Sequence, residues 1–121
     1  MSTKPFQDNL KLKNNRVTGS ITVIGFESEG SFVFYSPALD LYGIGDDEAE
    51  AKEAFEETLH LYFAHIIEEE TIDKDLLKMG WKKHKRIKSR FTPPHYDVRK
   101  VMSEKGVNRF EVLDEQLELC A

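Results

Sequence analysis

The chain has 121 residues and a mass of 14.0 kDa, with 40% hydrophobic and 32% charged residues, which fits one domain with a real core and excludes global disorder. No apolar run nears the ~20 residues a membrane-spanning helix needs, and the polar start, MSTKPFQDNLKLKNN, has no apolar signal segment. The single Cys120 excludes an intrachain disulfide, so the expectation is a cytoplasmic protein, one domain over residues 1–121.

Residues 1–15 are polar apart from Phe6, Leu10 and Leu12, which predicts a loose N-terminal arm or an edge strand through Leu10-Lys11-Leu12. VTGSITVIGF, 17–26, is β-branched and alternates, with Ile21 and Val23 on one face and Ile24 and Phe26 on the other. It predicts a strand covered at least partly on both sides. Glu27-Ser28-Glu29-Gly30 is a hairpin signal, and SFVFYS, 31–36, is the returning strand. Pro37 ends regular pairing, and LYGIG, 41–45, is a third short strand whose glycines allow a close bend.

At Gly45-Asp46 the apolar period changes from 2 to 3.6. Ala51, Ala54, Phe55, Leu59, Tyr62, Phe63, Ile66 and Ile67 mark one stripe of a helix over 47–69. Asp46 or Asp47 caps it, with Glu50 placed for a capping box. Leu61 falls outside the stripe, so part of the helix is expected to meet another subunit. Residues 73–79 predict one or two further helical turns closed by Gly80. Residues 81–121 form a C-terminal extension: a basic strip, a Pro93-Pro94 extended segment, a short helix at 97–105 ending at Gly106, and a last strand in 110–119.

The net charge of −5 conceals a segregation. Residues 46–75 carry twelve acids against Lys52 and Lys74, whereas KKHKRIKSR, 82–90, carries six bases and no acid. The strip neutralises the acidic helix within the fold, docks on an acidic surface, or contacts nucleic acid through Lys82, Lys83, Lys85, Arg86, Lys88 and Arg90. In that last case Trp81 and Phe91 would be stacking platforms at its ends, whereas the alternative, favoured for Trp81, is a core anchor after the helix pair.

Catalytic chemistry finds little support. The lone Cys is penultimate, no serine sits in a glycine-flanked elbow, and Gly43-Ile44-Gly45 lacks the rest of a phosphate loop. His60 and His65 diverge by roughly 140° around a helix axis at about 100° per residue, and Glu56–His60 or His65–Glu69 offers only two ligands where zinc takes three or four. Residues 17–26 and 31–36 contain no carboxylates for two-metal hydrolysis. The expectation is a non-enzyme with no metal or cofactor.

Pro37-Ala38-Leu39, then Gly45, Asp47 and Ala51 at the start of an acidic helix, resembles the HicB family of antitoxins over residues 21–70. The family's P-x-L-P-G motif departs after Leu39, where the chain reads Asp40-Leu41-Tyr42. The resemblance implies an α+β, degenerate ribonuclease-H-like fold: three antiparallel strands, one long helix packed on them, and a further strand. It also implies binding and masking of a small HicA-type RNA-cleaving toxin. Glu53, Glu56, Glu57 and Leu61 are then the candidate partner-binding residues, their acids suiting a basic partner. Many such antitoxins also bind operator DNA through a C-terminal helix-turn-helix or ribbon-helix-helix, but 97–105 supplies one helix where a helix-turn-helix needs two. A homo-oligomer of the same fold without a toxin is the alternative. A homodimer is expected in either case, with 107–119 reaching across it to find a strand neighbour.

Overall fold

The β-branched run of residues 17–24 builds a strand thirteen residues long, β2 (Arg16–Ser28), and the other elements are arranged along its edges. A computed structural model describes residues 8–13, 15–84, 86–87 and 90–120. The further elements are β1 (Asn9–Lys13), β3 (Ser31–Ser36), β4 (Leu41–Gly45), α1 (Glu48–Glu68), α2 (Ile72–Lys78), β5 (Lys82–Lys83), β6 (Arg90–Thr92), α3 (Val98–Glu104) and β7 (Glu111–Cys120). All pairings are antiparallel, in the order β4-β3-β2-β1-β6-β5, with β7 also on β2. The fold is α+β, and among the described residues the expected three strands and long helix are embedded in a sheet of seven strands with three helices.

β7 pairs with residues 16–25 of β2, overlapping both the stretch bonded to β1 (16–20) and that bonded to β3 (24–28). A strand has two edges, so β1 and β3 share one of them end to end. Between them the Thr22 N–H would lack a ladder partner, and the carboxylate of Asp8 accepts its hydrogen bond. The other Asp8 oxygen accepts from the Tyr96 hydroxyl, which joins the β6–α3 connection to the same gap. Asp8 is buried, and burial pushes its pKa up, opposed by the Tyr96 and Thr22 hydrogen bonds.

Strand alternation divides the core in two. Ile21 and Val23 pack with Phe34, Phe55, Phe63 and Trp81 on the α1/α2 side, while Ile24 and Phe26 pack with Val33, Tyr35 and Met102 under α3. The two-sided reading of 17–26 matches this arrangement. Helix α1 starts at Asp47, whose Oδ1 accepts from the Glu50 N–H at 2.8 Å. The Glu50 carboxylate accepts in return from the Asp46 N–H at 3.1 Å, one residue earlier than in a standard capping box. The helix lies directly on β4, because a Cβ at Gly43 would stand 2.2 Å from the Phe55 nitrogen.

Two expectations are corrected. Leu10-Lys11-Leu12 lies in an interior strand, since β1 has β2 on one side and β6 on the other. The segment expected to reach across a dimer finds its strand neighbour within its own chain, since β7 pairs with β2 over ten positions, 111–120.

Phe55→Ala empties a fully buried site and is expected to cost about 3–5 kcal/mol in urea unfolding. Gly43→Ala should cost at least about 1–3 kcal/mol by forcing the helix off β4. A near-neutral Gly43→Ala would show that α1 does not seat there. Asp8→Ala strands two donors and should cost about 3 kcal/mol, whereas Asp8→Asn keeps an acceptor for Thr22 and should recover most of that loss. Equal losses in the two Asp8 variants would rule out the bridging role.

Candidate functional site

The buried stripe of α1 (Ala51, Phe55, Leu59, Phe63, Ile66) turns its remaining side chains outward. Glu53, Glu56, Glu57 and His60 are exposed there, with Leu61 at 60% exposure beside them. The four candidate partner residues are thus together on one solvent face. No described residue of the basic strip forms an ion pair with this face; its Lys83 instead pairs with Asp73 of α2 at 2.6 Å.

Where α1 passes β7, a groove of about 360 Å³ is lined by Glu56, Leu59, His60, Glu115, Leu117 and Glu118. Glu115 faces α1 because it sits opposite Ile21 in the β2–β7 ladder. Its carboxyl is pushed up to about 7, first by burial, then by the hydrogen bond and charge of Glu56, with Asp114 adding and Lys52 opposing. Glu115 therefore keeps its proton up to near neutrality. Glu115 was not a candidate from sequence, since only the β7 register places it beside Glu56.

β5 and β6 pair antiparallel at the two ends of the basic strip, and the His84 Nδ1 accepts from the Arg86 and Ile87 N–H groups at 3.2 and 3.0 Å. Lys82, Lys83, Arg86 and Arg90 are exposed, while Lys85 and Lys88 lie outside the described residues. Trp81 and Phe91 are each 1% exposed, and the Trp81 Nε1–H donates to the Ala38 carbonyl at 2.8 Å. Neither ring is available to stack on a base: Trp81 is a core anchor, the alternative favoured for it, and for Phe91 the stacking expectation is corrected, since it is buried in the core as well.

At the other end, Tyr35 and Tyr42 stack with centroids 4.4 Å apart. The Lys105 ammonium lies 4.4 Å over the Tyr35 ring and donates to the Tyr42 hydroxyl at 2.6 Å, tying the end of α3 to β3 and β4. Burial and the neighbouring Asp40 push the Tyr35 pKa up. Among the described residues no group of three or more His, Cys, Asp or Glu is arranged to hold a metal ion. Nor is any helix among the described residues long and apolar enough to cross a membrane. No protein family, curated protein or solved structure matches the chain.

Glu115 titrates higher folded than unfolded, so the folded state binds the extra proton between about pH 4.5 and 7. The stability it contributes is complete below 4.5 and lost as the pH rises through 7. Glu115→Gln should leave stability at pH 4 unchanged and raise it at pH 8 by about 1 kcal/mol, a figure already reduced for the group's partial exposure. Urea unfolding at the two pH values reads this, and an equal change at both would reject the raised Glu115 titration.

Proposed function

We propose that the chain is a non-enzymatic protein-interaction module of the HicB-like antitoxin kind, which binds a small basic RNA-cleaving protein through the solvent face of α1. The observation that carries this reading is the uncompensated acidic face itself. Glu53, Glu56 and Glu57 are exposed around Leu61, with no described residue of the basic strip paired to them. Leu61 supplies an apolar anchor amid charges that steer a basic partner and fix its orientation. Three further features support it: the strand–strand–strand–helix order of β2, β3, β4 and α1, the Asp47 cap, and the absence of acids from residues 17–26 and 31–36. A degenerate ribonuclease-H-like scaffold is the finer fold reading that goes with the proposal.

Homodimerisation fits alongside it. The outer edge of β4 has no strand neighbour among the described residues, and Ile44 on that strand is 60% exposed. An edge that carries its own apolar side chain is a template for a second copy.

The test is co-expression with the product of a short, basic reading frame adjacent to the gene. The expected result is a stable complex and relief of that product's growth arrest. Glu53→Lys with Glu57→Lys should weaken the complex at least tenfold by calorimetry, and Leu61→Ala should cost a further ~1–2 kcal/mol. A complex unaffected by all three substitutions would place the partner elsewhere, and a toxic neighbour that does not bind would end the antitoxin reading.

A further inference from the structure

The strip 82–90 is not the only source of positive charge at its end of the sheet. Lys11 of β1 stands directly beside Arg90 of β6 on one side and Thr18 of β2 on the other. Side chains opposite one another in a ladder share a face, and residues two apart share it too. Lys11, Lys13, Arg90, Thr92 and Lys82, the last opposite Thr92, are therefore on one face of β1, β6 and β5. Leu10 and Phe91 point to the other face, into the core, and Lys83 follows them to reach Asp73. The strip thus splits: Lys83 serves the fold, and Lys82 and Arg90 join two lysines from a segment seventy residues earlier in the chain.

Lys11, Lys13, Lys82 and Arg90 are all exposed, and none forms an ion pair among the described residues. Glu118, opposite Thr18 on β7, bounds the patch on its far side. The acids of α1 lie behind the sheet. Among the described residues of the patch are cations and threonine hydroxyls, with no aromatic and no large apolar side chain; exposed Ile87 lies between β5 and β6.

We infer that this face, formed by Lys11, Lys13, Lys82 and Arg90, is a docking surface for the phosphate backbone of duplex DNA. An acidic protein is the poorer occupant. Protein interfaces are depleted in Lys at their cores and take most of their energy from buried apolar or aromatic anchors, which this face lacks. Single-stranded nucleic acid is poorer too, because it is held by stacked aromatic side chains, and Trp81 and Phe91 are buried on the opposite side. A flat row of ammonium and guanidinium groups matches a regular line of phosphates. An antiparallel strand advances ~3.4 Å per residue, so Lys11 and Lys13, two residues apart, stand about 7 Å from each other, the order of the distance between successive phosphates on one strand of B-form DNA. With no side chain entering a groove, binding is independent of sequence.

The inference goes beyond the protein-binding reading and stands or falls apart from it, since it uses the opposite side of the sheet. Its test is fluorescence anisotropy with the full chain and a mixed-sequence DNA duplex of about 20 bp, over a salt series. Four phosphate contacts predict a log–log salt slope of about −3.6. Lys11→Glu with Lys13→Glu should lower affinity at least tenfold and reduce the slope by about half. Lys82→Glu with Arg90→Glu, on other strands, should do the same, so a folding defect in one pair does not decide the outcome. Glu53→Gln with Glu57→Gln should leave binding at least as tight. Any of four results overturns the inference: no binding at low salt, binding to the matching single strand or an RNA duplex as tight as to DNA, full affinity in both charge-reversal pairs, or loss of self-association in those pairs without DNA.

Discussion

The structure depends on how one edge of β2 is shared. β7 occupies the opposite edge over 16–25, so β1 and β3 must meet the remaining edge in tandem, and a backbone donor at Thr22 falls between them. An unpaired buried N–H costs as much as a lost hydrogen bond, and a buried carboxylate costs more unless it is satisfied. Asp8 and the Tyr96 hydroxyl resolve both problems together, one filling the gap and the other completing the carboxylate's partners. Because Tyr96 precedes α3, the same contact fixes where the C-terminal part of the chain crosses the sheet. The small core of Ile24, Phe26 and Met102 forms beyond that crossing.

The placement of α1 follows from a second constraint, the bare backbone of β4. Gly43 and Gly45 leave two inward positions of β4 without a Cβ, letting Ala51 and Phe55 approach the strand itself. A helix seated that closely has its rotation fixed by the contact. Phe55, Leu59 and Phe63 point in, and Glu53, Glu57 and Leu61 are left outside. The acidic face is therefore a consequence of the glycine seat and the 3.6-residue period, not of any contact among the acids.

What the sequence shows directly is what local periodicity encodes. The strands over 17–45, the helix from Asp47, the turn at Gly80 and the short helix capped by Asp97 all follow from alternation, capping residues and glycines. Pairing between distant segments leaves no such trace. Nothing in Leu10-Lys11-Leu12 says that β6 lies beside it, and nothing in 110–119 says that its neighbour is β2 rather than another chain. The same holds at the sites. Glu53, Glu57 and Leu61 are visible as residues off an apolar stripe, whereas Glu115 beside Glu56 and Lys11 beside Arg90 exist only through register. The β5–β6 pairing escapes notice because a run of lysines has neither period.

The two charged faces lie on opposite sides of one sheet, and this separation explains how a chain of net charge −5 can hold a cationic surface at all. At physiological ionic strength fields between exposed charges are largely screened beyond about 8 Å, so the acids behind the sheet weaken the patch only modestly. Residual repulsion has a definite sign for a polyanion arriving at the patch, and it comes from the acids of α1. A basic protein on α1 would neutralise those acids and remove it, so the two partners would strengthen each other's binding, by the same factor in each direction. The coupling would be small and would fade with added salt, since it travels through solvent-exposed charge and not through any rearrangement of the core.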